Sequence, residues 1–282
     1  MAGSLALSLS AMDAVGHAFG PDSWESWDNL LRLDRMLAGL MELLDRQVGK
    51  HGYAVVVSSD HGGVSLPELA GDARLHPWCH GGTPDRWNRP CQGGERIDQY
   101  EVAHELDAAT RRALGVGPWI AGVADPYVFF TDAAKQLPAN KRSVLMKTIV
   151  SQLEKHPGIE RAVDVRDVPS TCPPRLDESQ DALVCRAVRP GTSGDVYMIP
   201  RAGSFFDPEY DRGKGSSHGT PNVFDRSVPM LAYAPGRVKA GRLVDEVTDA
   251  AAFAHTVSAL LGIAPPEHAR EGISLAERPA NR

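Results

Sequence analysis

From Ser23 to Lys50 the apolar residues recur at steps of three and four: Trp27, Leu30, Leu31, Leu37, Leu40, Met41, Leu44 and Val48. That period predicts one long amphipathic helix. Pro21 and Asp22 suit its first turn, and Gly49 with Gly52 suit its end. Glu42 and Arg46 add an i,i+4 ion pair on the wet face. Before this helix, Leu5–Ser10 is a short apolar-rich run and predicts a strand. After it, Tyr53–Val57 is β-branched and predicts a buried strand. Strand, helix, strand at this length predicts a βαβ unit with parallel strands.

The pattern changes further along. Ile97–Leu114 and Pro138–His156 predict helices. Pro126–Phe130, Ile159–Val165 and Asp195–Ile199 predict strands, with a second βαβ-like stretch among them. Residues 97–200 therefore read as a smaller α+β subdomain inserted into the main sheet, which is formed by 1–96 and 201–282. Leu66–Arg96, 166–190 and Gly203–Asp225 read as irregular connections. Val228–Ala234 predicts a returning strand. Asp249–Leu261 predicts a closing helix, ended by Gly262 and Pro265-Pro266.

Composition fits this picture. The chain has 282 residues, 42% hydrophobic and 23% charged, enough to build an ordinary core of two domains at most. The 27 glycines and 21 prolines account for the long connections. A formal charge of −6 gives no bulk attraction to nucleic acid or to anionic membranes. No apolar run approaches the ~18 residues that cross a bilayer. Met1–Ser10 carries no Lys or Arg and reads as a strand, not as a signal peptide. The four cysteines come as two local pairs, Cys79 with Cys91 and Cys172 with Cys185. Two loop-closing disulfides in an oxidising compartment, or four reduced thiols, both fit.

Three polar clusters carry the candidate chemistry. Asp13 and His17 stand four apart after the first predicted strand. Asp60-His61-Gly62 ends the next one. His218-Gly219-Thr220 lies in the late Gly-rich loop. Asp and His are ligands for Zn²⁺, Mn²⁺ or Fe at neutral pH. Five such ligands exceed one tetrahedral site and suit two sites sharing a substrate. Each cluster has a blander reading: chance spacing for Asp13 and His17, a paired charge at Asp60, a turn-capping histidine at His218. His76 and Trp78-Cys79-His80 with Cys91 read as a disulfided loop sooner than as a separate zinc site. His104 and His156 read as surface residues, Trp24 and Trp27 as packing residues, and Lys214 as a solvated loop lysine.

In Ser10-Ala-Met-Asp13-Ala-Val-Gly-His17, Val56-Val-Ser-Ser-Asp60-His61-Gly62 and Ser217-His218-Gly219-Thr220-Pro221, followed by Asp225, the sequence resembles the alkaline phosphatase superfamily. Arg189–Val196 and the tail from Thr248 to Leu275 resemble it as well. Within it, the chain is similar to the type I phosphodiesterase/nucleotide pyrophosphatase and phosphate-irrepressible alkaline phosphatase branch. The resemblance implies an α/β sandwich with a mainly parallel sheet between helices, hydrolysing phosphate mono- or diesters with two zinc ions, manganese or magnesium being alternatives. It implies one metal on Asp13, His17 and His218, the other on Asp60 and His61, and Asp225 orienting the His218 loop. The family's nucleophile and a further Asp ligand precede the segment equivalent to Asp13. The expectation is therefore a C-terminal portion lacking them, inactive alone, with a partner chain or self-association covering the remainder. A small phosphate ester is the implied substrate, and a periplasmic or secreted location is implied. The other readings are an inactive metal-binding remnant or split-enzyme subunit, and a sulfatase or phosphoglycerate mutase branch.

Overall fold

A computed structural model describes residues 3–70, 72, 74, 93–189, 191–207, 213–241, 248–269 and 274–275. The elements run α1 (Ala11–Phe19), α2 (Trp24–Val48), β1 (Val55–Ser58), β2 (Arg96–Ile97), α3 (Gln99–Leu114), β3 (Ile120–Ala124), β4 (Tyr127–Phe130), α4 (Asp132–Lys135), α5 (Ala139–Leu153), β5 (Ile159–Asp164), α6 (Gln180–Ala187), β6 (Val196–Pro200), β7 (Phe205–Phe206), α7 (Val223–Arg226), β8 (Met230–Tyr233) and α8 (Ala251–Leu261). Contacts divide the chain into two units. One comprises Met1–Met12, Trp27–His61 and Ser227–Arg282. The other comprises Asp13–Ser26 and Gly62–Arg226.

In the first unit the expected helix forms over α2, and the expected strands form as β1 and β8. They pair antiparallel, with Val55 opposite Tyr233 and Ser58 opposite Met230. Tyr53 donates its hydroxyl to Asp45 at 2.9 Å, tying the last turns of α2 to the approach to β1. Arg237 reaches the Leu260 carbonyl on α8 and the Tyr53 carbonyl. Gly262 ends α8 at φ 70°, a left-handed cap that a side chain would strain.

Two expectations fail here. Leu5–Ser10 is not a strand: residues 3–9 have no regular structure, and Leu5 is 78% exposed. An extended run becomes a strand only when a neighbouring edge takes up its backbone groups, and these residues pair with no described strand. The parallel βαβ unit therefore does not form, and β1 takes β8 as an antiparallel neighbour. Among the described strands the parallel pair is β2 with β7.

The second unit holds a sheet in the order β3-β4-β6-β5, with antiparallel neighbours throughout. The βαβ-like stretch β4-α5-β5 is present but split, because β6 lies between its two strands. α3 and α5 cover one face. Asp98 caps α3 by accepting from the Tyr100 and Glu101 N–H groups. Val102, Leu106, Leu145, Ile149 and Leu153 of these helices pack on Val128, Ile159, Val196 and Met198. The opposite face of β6 presents Tyr197 and Ile199 to Val184 of α6. β6 is thus buried along its whole length, as its unbroken apolar sequence requires. The 166–190 stretch, expected to be irregular, contains α6. Ser179 caps it and a Cys172–Cys185 disulfide anchors it, with Cα atoms 5.6 Å apart. Cys79, Cys91, His76, Trp78 and His80 lie outside the described residues. Among the described residues no helix is long and apolar enough to cross a membrane.

Candidate metal centre

Asp13 and His17 stand one turn apart on α1, so their side chains share a face. α1 ends at Gly20, whose N–H bonds the Gly16 carbonyl and whose φ of 86° turns the chain toward α2. Ser23 and Ser26 both donate their hydroxyls to the Gly20 carbonyl and fix that corner.

His218 arrives from the loop that follows β7. Two contacts of Ser216 dock this loop against α1. The Ser216 N–H donates to the His17 carbonyl at 3.0 Å, and the Ser216 carbonyl lies 2.9 Å from His17 Nδ1. A carbonyl can only accept, so Nδ1 carries the proton and Nε2 of the neutral ring keeps a lone pair. That Nε2 lies 3.1 Å from His218 Nε2 and 3.4 Å from Asp13 Oδ1, while His218 Nε2 lies 3.5 Å from the same oxygen.

These three donors match the chemistry of a zinc-type site. Zinc–ligand distances of about 2.0–2.1 Å place neighbouring tetrahedral ligands about 3.3 Å apart. The observed edges of 3.1–3.5 Å bracket that value. Second, His17 shows the Nδ1-to-carbonyl bond that metal-ligating histidines use to present Nε2. Third, all three side chains are partly exposed, so the donors are not sealed from solvent. Sequence spacing indicated Asp13, His17 and His218. It did not indicate Ser216, since nothing in a Gly-Ser-Ser-His stretch marks which serine meets a residue 199 positions earlier.

Asp225 holds the far side of the His218 loop. Its Oδ2 accepts from the Thr220 N–H at 2.8 Å and the Thr220 hydroxyl at 2.6 Å, two residues beyond His218. Asp225 is 3% exposed, and its own carbonyl accepts from the Gly62 N–H. A Cβ on Gly62 would fall 2.0 Å from the Phe224 carbonyl oxygen, which explains glycine there.

Asp60 and His61 follow β1 in the first unit. His61 Nε2 lies 3.7 Å from Asp60 Oδ2, and the Asp60 side chain is largely exposed. A hydrogen bond from its own backbone N–H holds the Asp60 carboxyl below its usual range against the opposing effect of burial. The neighbouring His61 charge, the His61 N–H and the Ser59 hydroxyl add to the lowering. The pair therefore presents an ionised oxygen and an imidazole side by side.

A family profile described as type I phosphodiesterase/nucleotide pyrophosphatase matches residues 3–221. The chain belongs to this family. It is 31% identical to alkaline phosphatase PhoV of Synechococcus elongatus over 264 residues, covering 93% of this chain and 42% of the relative. It is 28% identical to alkaline phosphatase PafA of Elizabethkingia meningoseptica, covering 94% of this chain and 44% of the relative. The crystal structure of wild-type PafA superposes with a TM-score of 0.73 at 25% identity, covering 95% of this chain and 46% of that one. The fold is accordingly the alkaline-phosphatase-like α/β fold. As a phosphodiesterase-family member the chain spans less than half the length of these relatives.

Proposed function

We propose that this chain carries the metal-binding side of a phosphoric ester hydrolase. Asp13, His17 and His218 hold one ion and Asp60 with His61 contribute to a second, while Asp225 steadies the His218 loop. The observation that carries this reading is the triangle of one carboxylate oxygen and two imidazole nitrogens with edges of 3.1–3.5 Å. Two imidazoles and a carboxylate favour zinc, with manganese or magnesium as poorer matches to nitrogen donors. The substrate class is a small phosphate mono- or diester, which the family and its alkaline phosphatase relatives support.

When bound, the metal supplies Lewis acidity toward a phosphoryl oxygen. The residues do the rest. His17 keeps its proton on Nδ1 through the Ser216 carbonyl, so Nε2 stays a donor. Asp13 supplies the anionic oxygen between the two imidazoles, and the α1 backbone fixes its spacing to His17. Asp225 keeps Thr220 in place, which limits how far His218 can swing.

Within this reading, residues 1–96 and 201–282 form the metal-binding core and 97–200 the inserted subdomain. The helix-covered sheet of α3, α5 and β3–β6 supports a folded body within 97–200, while the contacts join residues 13–26, 62–96 and 201–226 to that body. The nucleophile comes from outside these 282 residues, in keeping with relatives more than twice as long. The Cys172–Cys185 disulfide supports a periplasmic or secreted setting. A second reading, a metal-binding subunit without turnover of its own, is favoured by Asp60 and His61 providing two ligands where catalytic zinc takes three.

Titration of the purified chain with Co²⁺ tests the central claim. A tetrahedral visible spectrum should appear at about one ion per chain and be displaced by Zn²⁺. H218A and D13A should abolish it. A spectrum that survives H218A overturns the reading.

A further inference from the structure

Arg96 opens β2 and is 12% exposed at its side chain, although it carries a full charge. Its guanidinium has five donors in one plane. Nε and Nη2 bond the two oxygens of Glu68 at 3.1 and 3.2 Å, and Nη1 bonds Oδ2 of Asp207, itself 4% exposed at the side chain. Nη2 makes one more bond, to the Gly215 carbonyl at 3.1 Å. The Phe205 ring lies 5.2 Å below the guanidinium carbon. Burial pushes the Glu68 carboxyl up, but hydrogen bonds from Arg96, from its own N–H and from the Gly213 N–H outweigh this and hold it below its usual range.

The turn 213–215 is thus held at Gly215, which Arg96 bonds directly while Glu68 and Asp207 fix the guanidinium. Gly213 and Gly215 have left-handed backbone, φ 81° and 72°, so the turn has few side-chain contacts of its own to define it. The next residue is Ser216, which makes the two bonds to His17, and His218 follows two residues on. A buried ion pair is a poor device for stability alone, since apolar residues of the same volume often do as well. Apolar residues could not bond the Gly215 carbonyl.

We propose that Arg96 is a positioning residue: held by Glu68 and Asp207 and bonded to the Gly215 carbonyl, it sets the register of the His218 loop against α1 and so assembles the Asp13–His17–His218 triangle. The metal readout of this proposal rests on the function proposed above; the tautomer readout does not. In metal-free protein, long-range ¹H–¹⁵N correlation of the imidazoles should place the His17 proton on Nδ1. In R96M the His17 signal should revert to the mixed tautomers of a solvated histidine. Co²⁺ affinity should fall about tenfold or more, in the range seen when groups supporting a ligand are removed. R96K, which keeps charge but not the planar fork, should fall between. L145A, a core change in α5, serves as control and should lower Tm while leaving both readouts unmoved.

R96M that is folded, with His17 tautomer and Co²⁺ affinity unchanged, overturns the proposal. So does a loss of affinity in L145A matching that of R96M. If R96M does not fold, E68A decides: it leaves the Arg96–Asp207 pair intact and should still weaken Co²⁺ binding several-fold, while wild-type affinity in E68A counts against the clamp. Wild-type protein that binds no Co²⁺ overturns the function proposed above, and the tautomer comparison then tests the clamp alone.

Discussion

Asp225 shows how a single residue can serve a site it does not line. Its buried carboxylate takes two hydrogen bonds from Thr220, one from backbone and one from the hydroxyl. D225A leaves both Thr220 donors without that acceptor in a buried setting. Such a loss costs about 1–3 kcal/mol, and urea unfolding should show a fall of that size. Because Thr220 lies two residues from His218, Co²⁺ affinity should drop about tenfold as well. Unchanged affinity in a destabilised D225A would confine Asp225 to a structural role. The candidate ligands were legible as residue types, because Asp and His are side chains that hold zinc-type ions at neutral pH. Their partners were not. Ser216 and Thr220 are small polar residues whose roles depend on which distant atoms they meet.

At the scale of elements, periodicity carried furthest where packing is one-sided or complete. α3 and α5 repeat their apolar residues every three or four positions because one stripe faces a sheet, whereas α2 keeps the same period with much of its stripe exposed. β6 is uniformly apolar because both faces are covered. Elements with little to bury escaped notice. α6 has eight residues and buries Ala182, Val184 and Cys185, and it sits in a stretch rich in turn formers. β3 contains Gly122 and small side chains, and pairs on one edge with β4. What secures α6 is covalent: Cys172 and Cys185 lie 13 apart and close a short loop. The pairing of Cys172 with Cys185 was one of two readings of the cysteines, and the structure shows it. Removing it with C172A/C185A should cost about 3 kcal/mol by loop-closure entropy. Thermal unfolding should register the loss, and an unchanged Tm would mean that the helix packs securely without its tether.

For the whole molecule, the distribution of apolar surface is uneven. On α2, Trp24 is 83% exposed and Trp27 55%, with Leu30 and Leu31 also exposed at helical spacing. On β8, Leu231 is 61% exposed. Exposed apolar side chains at helical spacing favour association. Sedimentation should therefore show concentration-dependent self-association, reduced by W27K/L31K, and a strictly monomeric chain at high concentration would contradict this. Under the proposed function the 282 residues alone should bind metal yet turn over neither an aryl phosphate nor an aryl phosphodiester. Turnover abolished by D60A would show that the chain supplies its own nucleophile. A folded, metal-binding chain without turnover is the expected outcome.

The sequence by itself determined the long helices, the fully buried strand β6 and the residue types able to hold a metal, because these follow from local periodicity and side-chain chemistry. The strand β1, expected buried, is only half-buried. It also determined family membership, since the motifs occur in order along the chain. Only the tertiary structure decided that β1 pairs antiparallel with β8, that Leu5–Ser10 pairs with no described strand, and that β6 separates β4 from β5. Strand direction and neighbours depend on where the connecting chain returns, and no local pattern encodes that path. The same holds for the centre. Asp13 and His17 share a helical turn by local geometry, but His218 reaches them across 201 residues of chain. It arrives there because Ser216 bonds the end of α1 and Asp225 holds Thr220, contacts that exist once the chain has folded.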